Sequence, residues 1–106
     1  AMAEHQPRRN KTTDALFDAI LSLETREECY HFFEDLCTIS ELRAMEQRFQ
    51  VAAMLDEGRI YSDIAKETGA STATISRVNK CLTYGSDGYR TALDRMKQAK
   101  GNDTDE

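Results

Sequence analysis

The sequence contains no tryptophan, one proline and only three cysteines, and it has no long run of apolar residues. Because a membrane span needs about 18 consecutive apolar residues, no transmembrane segment is predicted. An odd number of cysteines without a paired framework predicts reduced thiols, buried as small apolar side chains. Reduced thiols predict a cytoplasmic setting. The first residues lack the apolar core of a signal peptide, so no signal peptide is predicted.

Motifs for catalysis and for cofactor binding are missing as well. No cysteines or histidines have the spacing, such as Cys-x-x-Cys, that places two ligands on one metal ion. There is no glycine-rich phosphate loop. The adjacent carboxylates Glu27 and Glu28 are typical of a solvated helix face, not of an acid–base pair around a substrate. The sequence therefore predicts no enzyme, no metal site and no cofactor.

The net charge of −5 is unevenly distributed along the chain. Residues 14–57 carry three basic and eleven acidic residues, whereas residues 58–81 carry four basic and two acidic residues. The acidic total alone argues against nucleic acid, but the local sign of the charge governs contact with phosphates. The charge pattern therefore permits nucleic-acid binding by residues 58–81 without requiring it.

No segment shows the alternation of a half-buried strand, so an all-α fold of about six helices is predicted. A chain of 106 residues has room for one core, so residues 14–97 are predicted to form a single helical domain. Residues 1–13 are predicted to be a flexible basic arm and residues 98–106 a disordered tail. The arm either has no role or contacts DNA through its basic residues Arg8, Arg9 and Lys11.

Capping signals predict where the helices of the first half begin. An apolar helical pattern covers residues 14–23. Thr25 with Glu28, and Thr38 with Glu41, are capping boxes that begin a second helix and a long third helix. These helices are too rich in aromatic side chains to bury them within one small chain, which favours a dimer interface.

Residues 61–82, YSDIAKETGASTATISRVNKCL, have the pattern of a helix-turn-helix. Two short helices, 61–68 and 72–81, flank a turn at Gly69, where glycine reaches positive φ without steric cost. Ser71 is a good N-cap for the second helix. The outer face of that helix has small or polar residues that can enter the major groove, followed by cations that can hold phosphates. These residues are Thr72, Ala73, Ser76, Arg77 and Lys80.

The segment GASTATISR, with TISELRAMEQR upstream, resembles the Trp-repressor superfamily. Most of the chain is similar to the YerC/YecD-type Trp-repressor-related proteins of bacteria. The resemblance implies a Trp-repressor-like intertwined homodimer in which the first three helices of both chains form the core. The paired helix-turn-helix motifs would meet a palindromic operator. By similarity, Thr72, Ala73 and Ser76 face bases, and Tyr61 and Ser62 occupy the matching positions of the first helix.

The resemblance also implies a possible effector pocket, at four matching positions: Thr38, Arg48, Thr74 and Arg77. The glycine that leaves space for the indole of tryptophan is Val78 here, and the serine of that pocket is Cys81. Tryptophan is therefore not expected as the effector. Two alternatives remain open. Either no ligand binds, with Arg48 paired to a carboxylate and Arg77 on a phosphate, or a different small molecule binds.

The sequence thus predicts a homodimeric, sequence-specific DNA-binding regulator of transcription, a repressor, with double-stranded DNA as partner. The alternatives are a helical protein-interaction module, favoured by the acidic front half, and a regulator with an unknown small-molecule effector. Steep salt dependence of binding distinguishes DNA binding from protein interaction. The predicted DNA contacts are Tyr61, Ser62, Ser71, Thr72, Ala73, Ser76, Arg77 and Lys80, with Arg59 as a further phosphate contact.

Overall fold

The computed structural model describes residues 9–104, with the side chains described as far as residue 101. Within these residues the chain forms six α-helices and no strand, which confirms the all-α prediction. None of these helices is long and apolar enough to span a membrane. The helices are α1 (Lys11–Leu21), α2 (Arg26–Leu36), α3 (Ile39–Asp56), α4 (Tyr61–Thr68), α5 (Thr72–Tyr84) and α6 (Gly88–Thr104).

The chain is divided into two compact units, the first ending at Arg43 and the second starting at Ala44. The single domain predicted over residues 14–97 includes residues of both units. In the first unit, neither α1 nor α2 has a buried residue. The described core belongs to the second unit and consists of Val51, Ala52, Met54, Ile64, Ala70, Ile75, Val78 and Leu93.

The two predicted capping boxes are present, one of them in an altered form. At α3, the amide of Thr38 donates to Glu41 Oε1 at 2.8 Å, and the amide of Glu41 donates to Thr38 Oγ1 at 3.1 Å. At α2, the amide of Glu28 donates to Thr25 Oγ1 at 3.1 Å. The Glu28 carboxylate, however, accepts from the amide of Glu24 at 2.8 Å. Both caps satisfy amides that a helix start leaves without partners.

The first helix starts three residues earlier than the sequence predicts, at Lys11. The side chain of Asn10 accepts from the amide of Thr13 at 2.8 Å and so caps the helix. The predicted flexible arm is therefore helical from Lys11 onward. The rest of that prediction, over residues 1–8 including Arg8, lies outside the described residues.

The last helix is longer than predicted and continues to Thr104. Residues 98–104 are helical, so the prediction of a disordered tail is wrong for this part, and residues 105–106 lie outside the described residues. The apolar pattern ends near Met96, but the residues that follow include Gln98, Ala99 and Lys100. These residue types favour helix without needing an apolar face, which explains the continuation as far as Lys100.

The three cysteines are free, as the sequence predicts. The prediction that they are buried is wrong for Cys29 and Cys81, which are exposed in this chain, and Cys37 is only partly buried. Cys29 is exposed because it belongs to α2, which buries none of its residues in this chain.

A cluster of charges connects the end of α3 with α6. Asp56 Oδ2 accepts from Arg90 Nη2 at 2.8 Å and from Lys97 Nζ at 2.6 Å. The Asp56 side chain is only 11% exposed. The hydrogen bonds from Arg90 and Lys97 lower the pKa of Asp56 from 3.8 to about 2. The ionised carboxylate of Asp56 therefore stabilises the packing of α6.

Asp56→Asn is expected to lower the free energy of unfolding by about 1–2 kcal/mol at neutral pH, because both cationic partners are partly solvated. A lowered pKa contributes stability that is fully present above the unfolded value and is lost as pH falls through the folded value. The difference between wild type and variant should therefore shrink between pH 3.8 and about pH 2. Urea unfolding at stepped pH measures it. A difference that stays constant down to pH 2 would contradict this role.

Candidate nucleic-acid interface

The second unit contains the predicted helix-turn-helix, formed by α4 and α5. The bounds of α4, Tyr61–Thr68, agree with the prediction, whereas α5 continues three residues past its predicted end, to Tyr84. Ile64, Ile75 and Val78 are at most 2% exposed and belong to the core. Because these side chains fix the inner face of both helices, the opposite face of α5 is held toward solvent.

Two glycines are required by the backbone at the ends of α4 and α5. Gly69 has a left-handed conformation, with φ of 76°, and its amide donates to the carbonyl of Ala65 at 2.8 Å. Glycine adopts this conformation without steric cost, as the sequence predicts for this turn. At the end of α5, a β-carbon on Gly85 would lie 2.3 Å from the carbonyl oxygen of Cys81. Only glycine therefore fits this helix end without a shift of the backbone.

The turn between α4 and α5 is held by side-chain hydrogen bonds that the sequence alone did not predict. The hydroxyl of Thr68 donates to the carbonyl of Ile64 at 2.7 Å and accepts from the amide of Ala70 at 3.1 Å. Gln47 Nε2, on α3, donates to the carbonyl of Thr68 at 3.2 Å. These bonds satisfy backbone groups at the end of α4 and fix where α5 begins.

Thr68→Val is expected to destabilise the protein by about 1–3 kcal/mol, because the variant keeps the shape of the side chain but leaves the Ala70 amide without its acceptor. Ala70 itself is buried, so water cannot easily replace that bond. Urea unfolding measures the effect. Thr83→Val, at an exposed threonine of α5, is the matched control and should change stability by less than about 0.5 kcal/mol. Equal effects of both substitutions would show that the Thr68 hydroxyl is not needed.

The start of α5 is capped by Ser71, as predicted. Ser71 Oγ accepts from the amide of Thr74 at 3.1 Å and donates to Thr74 Oγ1 at 3.1 Å. The Ser71 hydroxyl thus positions the helix, although the residue remains exposed. In the part of the chain that the structure describes, neither cation of α5 pairs with a carboxylate. The predicted contact residues on the outer face are all exposed: Thr72, Ala73, Ser76, Arg77 and Lys80.

The start of α4 has no capping side chain, because its N-cap residue is Ile60. Of the two predicted contact residues in this helix, Ser62 is exposed, whereas Tyr61 is partly buried and packs against the core. Tyr61 therefore supports the position of α4 as well as lying near its amino end.

An ion pair joins Arg59, just before α4, to Glu67 in the last turn of that helix. Arg59 Nη2 lies 3.0 Å from Glu67 Oε1, and the two side chains are 37% and 54% exposed. The hydrogen bond from Arg59 to Glu67, together with the charges of Glu67, Asp63 and Glu57, raises the pKa of Arg59. The sequence predicts Arg59 as a phosphate contact, but in this structure its guanidinium is paired with a carboxylate.

The four residues of the possible effector pocket have different surroundings. Thr38 belongs to the first unit, where its hydroxyl and amide serve the capping box of α3. Thr74 is partly buried and its hydroxyl accepts from Ser71. Arg48 and Arg77 are exposed. The predicted ion pair of Arg48 with a carboxylate is not found among the described residues.

A shallow cavity of about 400 Å³ lies at the end of α5. The cavity is lined by Cys81, Gly85, Ser86, Gly88 and Tyr89.

Among the described residues, no group of three histidine, cysteine or acidic side chains could hold a metal ion.

A short helix, a left-handed glycine turn and a capped second helix with an exposed outer face define a helix-turn-helix protein. The sequence model of the Trp repressor protein family matches residues 11–97. The chain therefore belongs to the Trp repressor family, within which it is a YerC-type protein.

Relatives and solved structures agree with this assignment. The chain is 59% identical over 92 residues to the uncharacterized protein YerC of Bacillus subtilis (strain 168), covering 87% of this chain and 88% of YerC. The crystal structure of a candidate Trp repressor from Staphylococcus aureus is similar with a TM-score of 0.81 and 56% identity, covering 84% of this chain and 89% of the other. A TrpR-like protein from Eubacterium eligens ATCC 27750 is similar with a TM-score of 0.82 and 55% identity, covering 84% and 92%.

Proposed function

We propose that this protein is a sequence-specific DNA-binding regulator of transcription that acts as a repressor and as a homodimer. The outer face of α5 is the observation that carries this proposal. Its amino-terminal end is fixed by the Ser71 cap and by the buried Ile75, yet the opposite side chains are exposed. A rigid helix end with small polar side chains is what reading of base edges in the major groove requires. Membership of the Trp repressor family supports the same function.

The exposed residues of α5 divide into two roles. Thr72, Ala73 and Ser76 are small enough for the helix end to approach base edges, where each good contact contributes about 1–3 kcal/mol of discrimination. Arg77 and Lys80 lie further along the same helix and carry charges for phosphates. On α4, the exposed Ser62 and the partly buried Tyr61 lie at the helix end that, in this motif, approaches the DNA backbone.

Pairing with a second copy of the chain would cover the apolar surface of the first unit. Neither α1 nor α2 buries a residue in the single chain. Large apolar side chains on a soluble surface are usually covered by a partner, and most oligomers are symmetric homodimers. The exposed fractions are 36% for Leu16, 54% for Phe17, 81% for Leu21, 56% for Tyr30 and 50% for Leu36.

DNA binding by this protein would not need tryptophan. At the position where the resemblance implies a glycine beside the indole, Val78 is only 2% exposed and packs in the core. The hydroxyl of Thr74 already accepts from Ser71, and Cys81 replaces a stronger hydrogen-bonding partner. A buried polar group of tryptophan would thus lose partners, which disfavours its binding.

Sedimentation equilibrium of the protein alone, and bound to a duplex selected from random sequences, tests the proposed function. We expect two chains in the free protein and two chains on each duplex. Affinity should fall steeply as salt rises, and adding tryptophan should leave it unchanged within about twofold. A monomeric free protein with one chain bound to each duplex would contradict the homodimer. An affinity that depends on tryptophan would contradict a regulator without an effector.

A further inference from the structure

The Arg59–Glu67 ion pair lies along α4, the first helix of the helix-turn-helix. In a helix-turn-helix, the first helix crosses the DNA backbone while the second enters the groove. Arg59 comes just before α4, and its guanidinium is bound by Glu67, eight residues further along the chain. A cation beside the first helix is thus occupied by a carboxylate of the same chain.

The charges of the motif are divided unequally between its two helices. Both acidic residues between 58 and 81, Asp63 and Glu67, belong to α4, and α5 has none. Asp63 and Glu67 are one helical turn apart, and both line a surface depression with Arg59 and Lys66. Arg59 and Lys66 are balanced by these two carboxylates, so the net positive charge of residues 58–81 lies on α5, the helix proposed to read bases.

We propose that Glu67 is a specificity-determining residue, because it holds the Arg59 guanidinium away from DNA phosphates and so limits sequence-independent binding. The inference rests on the proposed DNA-binding function. Phosphate contacts supply affinity for any sequence, whereas useful specificity is the ratio of operator affinity to this background. An ion pair as exposed as this one contributes little to stability, so its removal leaves the fold unchanged.

The test compares wild type with Glu67→Gln, Asp63→Asn and the double variant Arg59→Gln/Glu67→Gln. Binding to a random-sequence duplex is measured by fluorescence anisotropy over a series of salt concentrations. Asp63→Asn is the matched control, because it removes the same charge from the same helix face but has no hydrogen bond to Arg59 among the described residues. Unfolding in urea, run on all four proteins, verifies that each is folded.

We expect Glu67→Gln to bind random DNA more tightly at low salt. The slope of log affinity against log salt concentration should become steeper by about 0.9, the value of one added phosphate contact. A fourfold rise in salt would then weaken this variant by an extra factor of about three to four. The double variant should return to the wild-type slope, and Asp63→Asn should change the slope less.

Equal slopes for Glu67→Gln and Asp63→Asn would overturn the inference, because they would show that the change in salt dependence comes from the net charge alone. A wild-type slope in Glu67→Gln, or a steep slope that persists in the double variant, would also overturn it. In all three cases salt-dependent binding by the wild type would leave the proposed DNA-binding function intact. Absence of salt-dependent binding in every folded variant would overturn both.

Discussion

Ser76→Glu is expected to lower affinity for the selected operator by at least about a hundredfold while leaving the protein folded. Ser76 is exposed on the outer face of α5, two positions before the buried Val78. A glutamate there removes a small polar contact worth about 1–3 kcal/mol and adds a negative charge against phosphates, and each 1.4 kcal/mol changes affinity about tenfold. Glutamate also favours helix, so the helix itself should persist.

Thr91→Glu is the matched control for this prediction. Thr91 is an exposed residue of α6, outside the helix-turn-helix, so the substitution adds the same charge elsewhere in the second unit. Its operator affinity should stay within a few-fold of wild type. Circular dichroism and urea unfolding establish that both variants are folded. Wild-type affinity in Ser76→Glu would show that the outer face of α5 does not meet DNA.

Ile75→Ala is expected to cost about 2–5 kcal/mol of the free energy of unfolding, the usual effect of a cavity at a fully buried isoleucine. Ile75 is 0% exposed, and it belongs to a core of only eight buried residues in the described chain. Folded domains of this size are stable by about 5–15 kcal/mol, so the loss is a large share of the total. Because Ile75 fixes α5 from its inner face, DNA affinity should fall as folded protein is lost.

Ile60→Ala removes the same atoms from a side chain that is 62% exposed, and it serves as the comparison. This change should cost less than about 0.5 kcal/mol. Urea unfolding at one fixed protein concentration measures both variants, since the stability of the proposed dimer would depend on concentration. If the two substitutions had equal effects, the core described for the second unit would be wrong.

Local sequence signals were sufficient to predict the helix-turn-helix. The bounds of α4, the left-handed Gly69 and the Ser71 cap each depend on a few neighbouring residues, and all agree with the structure. The capping pair of Thr38 with Glu41 is local in the same sense. Steric freedom and capping geometry act over three or four residues, so they can be inferred without knowledge of the tertiary structure.

Features that depend on distant side chains could not be predicted in the same way. The bond from Gln47 to the Thr68 carbonyl joins two helices, and the Arg59–Glu67 pair depends on how a long side chain lies along α4. The contact of Lys97 with Asp56, 41 residues apart, likewise needs the packed structure. The sequence contains the residue types for these contacts but gives no distances between them.

Selection of bound duplexes from a random pool, with no added ligand, tests DNA reading by this protein most directly. We predict enrichment of a palindrome whose half-sites lie about one helical turn apart, because two symmetric helix-turn-helix motifs require that spacing. Ser76→Glu, taken through the same selection, should enrich nothing. If a folded, dimeric wild-type protein enriched no sequence, a sequence-specific reader that needs no effector would be contradicted. The acidic front half of the chain would then favour a protein-interaction module.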